Sequence, residues 1–232
     1  MAQYFDDCTA LTNWSELGGI SGTDFDIVSD GSRNVLRGTG ASTGREIARL
    51  TLINSDANRN NIEILARQQR SGAVNATYRE TLILRGAGTS VDNLTGYVAF
   101  WASGNIRIAR YNGDGTLTAI ASASRSQASG TYYWFRFRAN GTSLRLRVWT
   151  DGGSEPGSWN IDTTDSTYNT AGFAGPMTFG VNGGVIWTAD FGVGTNGDTA
   201  PASPVSGAPT LSDLQAVDIG ATSVQFTYDY AF

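Results

Sequence analysis

The sequence predicts an all-β protein built as a two-sheet antiparallel jelly-roll sandwich, and three observations support that fold class. Glycine is abundant, with 29 residues, and proline is scarce, with 5, in a chain of 232 residues. Within many short segments, apolar and polar residues alternate one by one, and turn-forming residues separate these segments at irregular spacing. No segment repeats its apolar residues at helical spacing. About a dozen short strands joined by turns are typical of a sandwich.

The clearest element is a hairpin predicted within residues 132–159. Side chains of a strand alternate between its two faces, so the two arms present one apolar face and one face of arginine and tryptophan. The apolar face comprises Tyr133, Phe135, Phe137, Ala139, Leu144, Leu146 and Val148. The opposite face comprises Trp134, Arg136, Arg138, Arg145, Arg147 and Trp149. Asn140-Gly141 between the arms tolerates the positive φ angles that tight hairpin turns need.

The other strands are predicted from shorter alternating segments. They cover residues 4–5, 25–28, 35–37, 47–53, 62–67, 78–85, 97–101, 106–111, 117–121, 173–181 and 185–191. The run Asn112-Gly113-Asp114-Gly115 is predicted to be the turn of a second hairpin. The first and last strands are expected to pair, because Tyr4-Phe5-Asp6 echoes Ala189-Asp190-Phe191 and a sandwich brings such ends together.

A change in composition predicts three parts in the chain. Residues 1–192 form the jelly-roll domain, and residues 193–209 form a linker of glycine, proline, serine and alanine with almost nothing to bury. Residues 210–232 alternate again and are predicted to be a short C-terminal β tail, or part of an immunoglobulin- or fibronectin-like module. Two short strands are not stable alone, so the tail is expected to pack on the domain or on a neighbouring subunit.

Composition also excludes several functions. The chain has no histidine, which removes Ser-His-Asp and Cys-His catalysis and histidine-based zinc sites. A net charge of −5 argues against nucleic-acid binding, which requires a basic surface. Neither a signal peptide nor an apolar run long enough for a membrane span is recognisable, so synthesis in a cytoplasm and no membrane insertion are expected.

Two alternatives rest on acidic residues. Glu63 and Glu80 lie on predicted strands, and if they faced each other they could form the carboxylate pair of a glycan hydrolase. Turns at residues 112–115 and 151–155 contain Asn, Asp and Glu and could hold calcium. Each turn offers only one or two carboxylates, whereas calcium prefers six or more oxygen ligands, so turn chemistry is the simpler interpretation and no cofactor is expected.

The arginine and tryptophan face of the hairpin has three interpretations. It is a solvated outer face whose arginine stems cover apolar surface, a protein interface, or a groove for a glycan or an anionic polymer. Its opposed arginines would repel one another unless carboxylates or rings separate them. Rings exposed in a groove favour sugar binding, and further candidates for such rings are Trp101, Trp159 and Trp187.

A family resemblance rests on several short motifs along the chain. They are Phe5-Asp6-Asp7 with Trp14, the hairpin residues Trp134 to Trp149, Glu155-Pro156 with Trp159, Asp190-Phe191, residues 195–201, and residues 211–212 and 217–224 of the tail. In these motifs the chain resembles concanavalin A-like (laminin G/lectin-type) jelly-roll domains of bacteriophage virion structural proteins. No motif of the glycan-hydrolysing members is matched.

This resemblance implies a non-enzymatic protein on the virion surface, decorating the capsid or associated with the tail or its fibres. Expected partners are other virion proteins, further copies of the same chain as a homo-oligomer, and host surface glycans. The alternative is a free carbohydrate-binding, lectin-like module. A glycan hydrolase that uses a carboxylate pair is the more distant alternative.

Overall fold

A computed structural model describes residues 2–17, 25–39, 45–71, 79–179, 185–203, 214–218 and 224–228. Regular structure in this part of the chain is almost entirely β. The strands are β1 (Ala2–Asp6), β2 (Trp14–Leu17), β3 (Phe25–Ser29), β4 (Asn34–Gly38), β5 (Arg45–Leu50), β6 (Ile62–Ser71), β7 (Arg79–Ala87), β8 (Thr95–Ala102), β9 (Asn105–Asn112), β10 (Leu117–Ser124), β11 (Tyr132–Asn140), β12 (Ser143–Thr150), β13 (Ile161–Thr164), β14 (Phe173–Phe179), β15 (Val185–Thr195), β16 (Leu214–Asp218) and β17 (Val224–Tyr228). The helical elements described are two single 3-10 turns, Thr51–Ile53 and Val91–Asn93.

Fifteen of these strands form two antiparallel sheets that pack face to face, which confirms the predicted sandwich. Sheet A has the order β13-β12-β11-β6-β15-β4-β3, and β1 also pairs with β15. Sheet B has the order β10-β9-β8-β7-β14-β5-β2. No helix in the described part of the chain is long and apolar enough to cross a membrane.

The first and last strands of the sandwich pair as the sequence predicts. Strand β1 runs antiparallel to β15, and Asp6 lies opposite Phe191 while Tyr4 lies opposite Val193. Strand β4 uses an earlier part of the same edge of β15, and a register shift between Thr188 and Asp190 separates that part from the rest. Strand β15 therefore joins the beginning of the chain to the middle of sheet A.

The predicted hairpin corresponds to β11 and β12, which turn at Gly141 with φ +55°. Its apolar side chains all lie in the core between the sheets, namely Tyr133, Phe135, Phe137, Ala139, Leu144, Leu146 and Val148. The predicted second hairpin is also present, since Asn112 ends β9 and Leu117 begins β10. Gly113 and Gly115 in its turn have positive φ angles that favour glycine.

Trp101 corrects one expectation from the sequence. This ring was a candidate for an exposed, sugar-binding position, but it is 1% exposed and lies between the sheets. It makes edge-to-face contacts with Tyr133 and Phe135, at centroid distances of 4.9 and 5.8 Å, and its Nε1 donates to the Arg125 carbonyl. Tyr97 and Trp101 share the inner face of β8, because the strand alternates with period two.

The C-terminal side of the sandwich extends beyond residue 192. Strand β15 continues to Thr195, and Ala200 is buried at 2% exposure. A Cβ at Gly192 or Gly194 would collide with the backbone of the segment that folds back here, so these glycines allow its close approach. The described start of the predicted linker thus packs on the sandwich. Strands β16 and β17 pair with each other in a separate two-stranded sheet, and the division into domain, linker and tail stays a prediction.

Candidate functional site

The candidate site is the outer face of sheet A, the side that points away from sheet B. In an antiparallel sheet, residues opposite each other point to the same side. The register therefore extends the arginine and tryptophan face of β11 and β12 across three more strands. Between β11 and β6 the outward pairs are Tyr132 with Gln69, Trp134 with Arg67, Arg136 with Leu65, and Arg138 with Glu63. Next to Gln69 on the following strands lie Trp187 of β15 and then Arg37 of β4.

Opposed arginines on this face are neutralised by carboxylates. Arg136 lies opposite Arg147, which would be repulsive without a partner. Glu155, from the loop after β12, accepts from Arg136 Nε at 2.7 Å and Nη2 at 2.9 Å, and from Arg147 Nη1 at 2.5 Å. One carboxylate thus holds both guanidinium groups, and its contact with Arg136 has the bidentate geometry of a strong charge-assisted pair.

Glu63 is the buried centre of the same cluster. Its side chain is 2% exposed and forms ion pairs with Arg136 and, at 3.5 Å, with Arg138. The backbone N–H of Ala200 also donates to Glu63 Oε1 at 3.0 Å. The sequence allowed Glu63 and Glu80 to face each other as a catalytic pair. That expectation is wrong, because Glu63 points to the outer side of sheet A whereas Glu80 belongs to sheet B.

The segment of residues 196–200 closes over this part of the face. Arg138 Nη2 donates to the Gly197 carbonyl at 2.9 Å, and Arg136 Nη1 donates to the Ala200 carbonyl at 3.3 Å. Ala200 also joins a small apolar cluster with Leu65 and Trp149. We call this region the clasped half of the outer face, and it comprises Glu63, Leu65, Arg136, Arg138, Arg147, Trp149, Glu155 and residues 196–200.

Electrostatics favour the charged forms within the clasped half. Burial alone would raise the pKa of Glu155, but hydrogen bonds and charge from Arg136 and Arg147 outweigh burial and lower it below its usual value. Burial would likewise lower the pKa of Arg136, and the two glutamates raise it instead. Both shifts favour the ionised forms of Glu155 and Arg136 at neutral pH.

Trp159 lies beside the clasped half and is itself partly covered by arginine. The Cζ atom of Arg147 lies 4.2 Å from the centroid of the Trp159 ring, and that of Arg145 lies 5.9 Å away. Such contacts are cation–π interactions. Arg145 also pairs with Asp162 at 3.1 Å, in an exposed position. The Trp159 ring, which the sequence suggested for sugar binding, is therefore already in contact with Arg145 and Arg147.

The remainder of the face is less covered, and we call it the open half. It comprises Arg37, Arg67, Gln69, Tyr132, Trp134 and Trp187, with the carboxylates that hold them. The rings of Tyr132, Trp134 and Trp187 are each partly exposed. Tyr132 and Trp134 are two residues apart on one strand, about 7 Å along it, and Trp187 lies two strands away, about 10 Å across the sheet.

Arg67 fixes two of these rings. Its Cζ atom lies 5.0 Å from the Tyr132 centroid and 5.9 Å from the Trp134 centroid. The guanidinium donates to Asp190 Oδ2 at 2.6 Å and to Asp151 Oδ2 at 3.0 Å. Asp151 Oδ1 in turn accepts from Trp134 Nε1 at 2.8 Å. The orientation of both rings is therefore set by charged partners before any ligand arrives.

Further contacts hold the two aromatic side chains from the other side. The Tyr132 hydroxyl donates to Asp30 Oδ2 at 2.7 Å. Burial, followed by this hydrogen bond, raises the pKa of Tyr132. Burial also acts to raise the pKa of Asp30, but the hydrogen bonds from Tyr132, Arg33 and Ser32 together outweigh burial and lower that pKa. Trp134 stacks on Trp149 with centroids 6.2 Å apart and planes 15° apart. Tyr132 and Trp134 thus form a rigid aromatic surface.

Trp187 supplies the third ring and was a candidate from the sequence. It lies between Gln69 of β6 and Arg37 of β4, and Arg37 Nε donates to Asp26 Oδ1 at 2.8 Å. The Trp187 Nε1 is buried and has no hydrogen-bond acceptor among the residues that the structure describes. The sequence did not predict Arg67, Tyr132, Asp151 or Asp190 as part of this face. For Arg67, Tyr132 and Asp190 the only sequence signal is the alternation of their strands, whereas Asp151 lies in the turn after β12. Strand order is needed to bring the four residues together.

An open pocket of about 460 Å³ lies elsewhere, at the end of the sandwich where the hairpin turn meets the end of β13. Thr142, Thr164, Asp165 and Ser166 line it. The Asp165 carboxylate is already engaged, since it accepts from the Tyr97 hydroxyl at 2.8 Å and from the Thr167 N–H at 2.9 Å. This pocket offers hydroxyl groups but no aromatic ring in its lining.

The two turns considered for calcium contain carboxylates with other partners. Asp114 accepts from the N–H and the hydroxyl of Thr116, at 2.9 and 2.6 Å, as a turn aspartate commonly does. Asp151 and Glu155 are held by arginines. Among the described residues, no group of three or more Asp, Glu, Cys or His side chains is placed to hold a metal ion.

Several solved structures have a similar arrangement of strands. The chain is similar to the carbohydrate-binding module CBM66 from Bacillus subtilis, with a TM-score of 0.54 and 15% identity over 77% of this chain and 95% of that one. It is also similar to the exoplasmic/lumenal domain of VIP36 in its Ca²⁺/Man3GlcNAc-bound form, with a TM-score of 0.57 and 11% identity over 87% of this chain and 90% of that one.

A third similar structure belongs to an enzyme. It is the xylan beta-1,4-xylosidase from Bacillus halodurans C-125, with a TM-score of 0.54 and 12% identity over 82% of this chain but only 38% of that chain. No family model and no curated protein sequence matches the chain. At these identities the likenesses show the fold alone, which is a jelly-roll sandwich resembling carbohydrate-binding and lectin domains.

Proposed function

We propose that this protein is a non-catalytic carbohydrate-binding, lectin-like module that binds glycans on the open half of sheet A. The observation that carries the proposal is the set of partly exposed rings of Tyr132, Trp134 and Trp187 on one sheet face. Two of them are fixed by Arg67 and its carboxylates. The fold is similar to that of a carbohydrate-binding module and of the VIP36 exoplasmic/lumenal domain in its Ca²⁺/Man-bound form, and this likeness supports the proposal.

The physical basis is a preformed surface. Aromatic side chains present large flat apolar faces, and the apolar face of a sugar ring can lie against them. Neighbouring carboxylate and amide groups can exchange hydrogen bonds with sugar hydroxyls. Because the rings are held by packing and charged partners, little side-chain entropy is lost when a ligand binds. A strand-borne, rigid surface of this kind suits a binding module.

The state of the acidic residues supports binding rather than hydrolysis. A glycosidase needs one carboxylic acid whose pKa is raised, so that it can protonate the leaving group. Glu63 is enclosed by two arginines and a backbone N–H, and the pKa of Glu155 is lowered by Arg136 and Arg147. Glu155 is therefore unsuited to donate a proton at neutral pH. Glu63, whose side chain is 2% exposed, is out of reach of a glycan.

The proposal is tested by affinity gel electrophoresis with soluble polysaccharides, preceded by a glycan array to choose them. Trp134→Ala and Trp187→Ala should each weaken binding at least about tenfold, a loss of about 1.4 kcal/mol. The matched control is Thr164→Arg, which obstructs the pocket at Thr142 and Ser166 and should leave binding unchanged. Binding lost in the control and kept in the tryptophan variants would move the site to the pocket.

We further propose that the module acts without a metal ion and is displayed on a bacteriophage particle with other virion proteins. Metal independence is supported by the carboxylates of the two turns considered for calcium, which are engaged by Thr116 and by arginines. Binding that survives EDTA agrees with it, and binding restored only by calcium contradicts it. The virion setting is supported by the sequence resemblance alone, and a cryo-EM map of the particle without this chain would contradict it.

A further inference from the structure

We propose that the open half takes uncharged glycan chains and excludes acidic ones, because its arginines are already neutralised. This inference rests on the proposed carbohydrate binding and narrows the class of ligand. The arginine-rich sequence of the hairpin alone would favour the opposite, a groove for an anionic polymer. The pairing of the charges decides between the two.

Every arginine whose side chain the structure places on the outer face of sheet A has a carboxylate partner. The pairs are Arg33 with Asp190, Arg37 with Asp26, Arg67 with Asp151 and Asp190, Arg136 with Glu63 and Glu155, Arg138 with Glu63, Arg145 with Asp162, and Arg147 with Glu155. Adding Asp30, which holds Tyr132, makes the carboxylates as numerous as the arginines. Asp198, in the segment that covers the clasped half, adds one more carboxylate, so the face carries no net positive charge.

Paired arginines are poor anchors for an anionic glycan. A carboxylate or sulfate that approaches Arg37 or Arg67 also approaches Asp26, Asp151 or Asp190, so attraction and repulsion nearly cancel. Displacing one of these aspartates would only exchange one ion pair for another. The whole chain, with its net charge of −5, adds a weak repulsion at longer range.

An uncharged glycan meets suitable partners on the same surface. The side chains of Asp26 and Asp151 are 39% and 32% exposed, so both stay accessible while paired. An ionised carboxylate has about four acceptor positions, and the described contacts use only some of them. Sugar hydroxyls are donors that can fill the remaining positions, while the rings of Trp134 and Trp187 accept the apolar side of the sugar.

The test compares two groups of soluble polymers in affinity gels, at 20 mM and 500 mM NaCl. The uncharged group contains β-glucan, xylan and mannan, and the acidic group contains polygalacturonate and alginate. We expect retardation by at least one uncharged polymer, with an affinity that changes less than about twofold between the two salt concentrations. We expect no retardation by the acidic polymers.

Other results are distinguishable. Retardation by acidic polymers that disappears at high salt overturns the neutral-ligand inference and leaves carbohydrate binding intact. If no polymer retards the protein in the gel and no glycan on the array binds it, the proposed function is wrong, and so is this inference.

A variant with altered charge tests the same inference through an expected gain of binding to an acidic polymer. Asp26→Asn removes the carboxylate partner of Arg37 beside Trp187. The unpaired Arg37 should then give the open half a salt-sensitive gain in binding to polygalacturonate of at least about threefold. The matched control is Asp162→Asn, which makes the same charge change at the exposed Arg145 pair, remote from the open half. Equal gains in both variants would show a non-specific effect of net charge and overturn the assignment of the ligand surface to this half. A thermal melt confirms that each variant is folded.

Discussion

The two halves of the outer face of sheet A are built from the same residue types and share strands β6 and β11, and yet they differ in how far they are covered. In the clasped half, Arg136 is 8% exposed and lies under residues 196–200. In the open half, Arg67 is held just as firmly by two aspartates, but no described segment covers Tyr132, Trp134 and Trp187 completely. The pattern of alternating arginine and tryptophan does not distinguish a structural cluster from a surface available to a ligand. The distinction comes from residues 196–200, which cover one half and leave the other partly exposed.

The difference also separates stability from recognition. A buried charge is costly unless its partners remain in place, so the clasped half should respond to substitution by losing stability. Exposed ion pairs contribute little, and partly exposed rings can be removed without opening the core. We therefore expect changes in the clasped half to lower the free energy of unfolding and changes in the open half to lower affinity.

The largest effect should follow from Glu63→Gln. This change leaves the buried Arg136 with Glu155 as its one carboxylate and removes the carboxylate partner of the partly exposed Arg138, and we expect the free energy of unfolding to fall by about 3 kcal/mol. Urea denaturation measures it. Asp162→Asn, at an exposed pair, serves as the control and should change stability by less than about 0.5 kcal/mol. A Glu63→Gln variant as stable as the control would show that the clasped half does not depend on its buried carboxylate.

A pair of truncations isolates the covering segment. Ending the chain after residue 203 keeps the contacts of Gly197 and Ala200 and should leave the melting temperature within about 2 °C of the parent. Ending it after residue 195 leaves Glu63 and Arg138 without backbone partners and should cost about 2 kcal/mol. If both truncations lower the melting temperature equally, stability comes from the tail beyond residue 203 and the predicted domain boundary is wrong.

Acid should weaken the clasped half by a smaller amount. The folded-state pKa of Glu155 is lowered, so its contribution to stability is fully present above its ordinary pKa and is lost as the pH falls through the folded value. Because the carboxylate is partly exposed, we expect less than about 1 kcal/mol from this group. Between pH 7 and pH 3, the melting temperature should fall less steeply for Glu155→Gln than for the parent protein. Parallel curves would contradict the role of Glu155.

The smallest effect should come from Arg145→Gln. Arg145 pairs with Asp162 and stacks at 5.9 Å on Trp159, but the pair is about half exposed. We expect a change in stability of no more than about 0.5 kcal/mol and no change in glycan affinity. A large loss of affinity would extend the binding surface across Trp159 into the region beside the clasped half.

The sequence predicted much of the fold because period-two alternation is a local signal. The core side of β11 and β12 and the pairing of β1 with β15 were both predicted and are confirmed. Trp101 was placed wrongly because β8 is aromatic or aliphatic on both faces, so alternation alone does not show which side points into the core. The partners of a side chain on another strand depend on the order of the strands in the sheet, which the alternation within one strand does not reveal.

Glu63 illustrates this limit. It is far from Arg136 in the chain, and only the pairing of β6 with β11 brings their side chains together. From the sequence it was a possible catalytic acid, whereas the structure makes it the partner of two arginines. The same holds for Arg67, whose contacts with Asp151 and Asp190 join three separate strands or loops.

The contacts of residues 196–200 also determine how the sandwich would carry mechanical load. A pull on the chain beyond residue 203 first reaches the hydrogen bonds at Ala200 and Gly197, which anchor the segment to β6 and β11. Only when these break does the load pass to β15, whose edges are paired with β6, β4 and β1. We expect force spectroscopy to record an initial short rupture before the sandwich opens, and Glu63→Gln to remove that first step. Residues 196–200 would thus take up force applied from the C-terminal side before it reaches the strands that carry the open half.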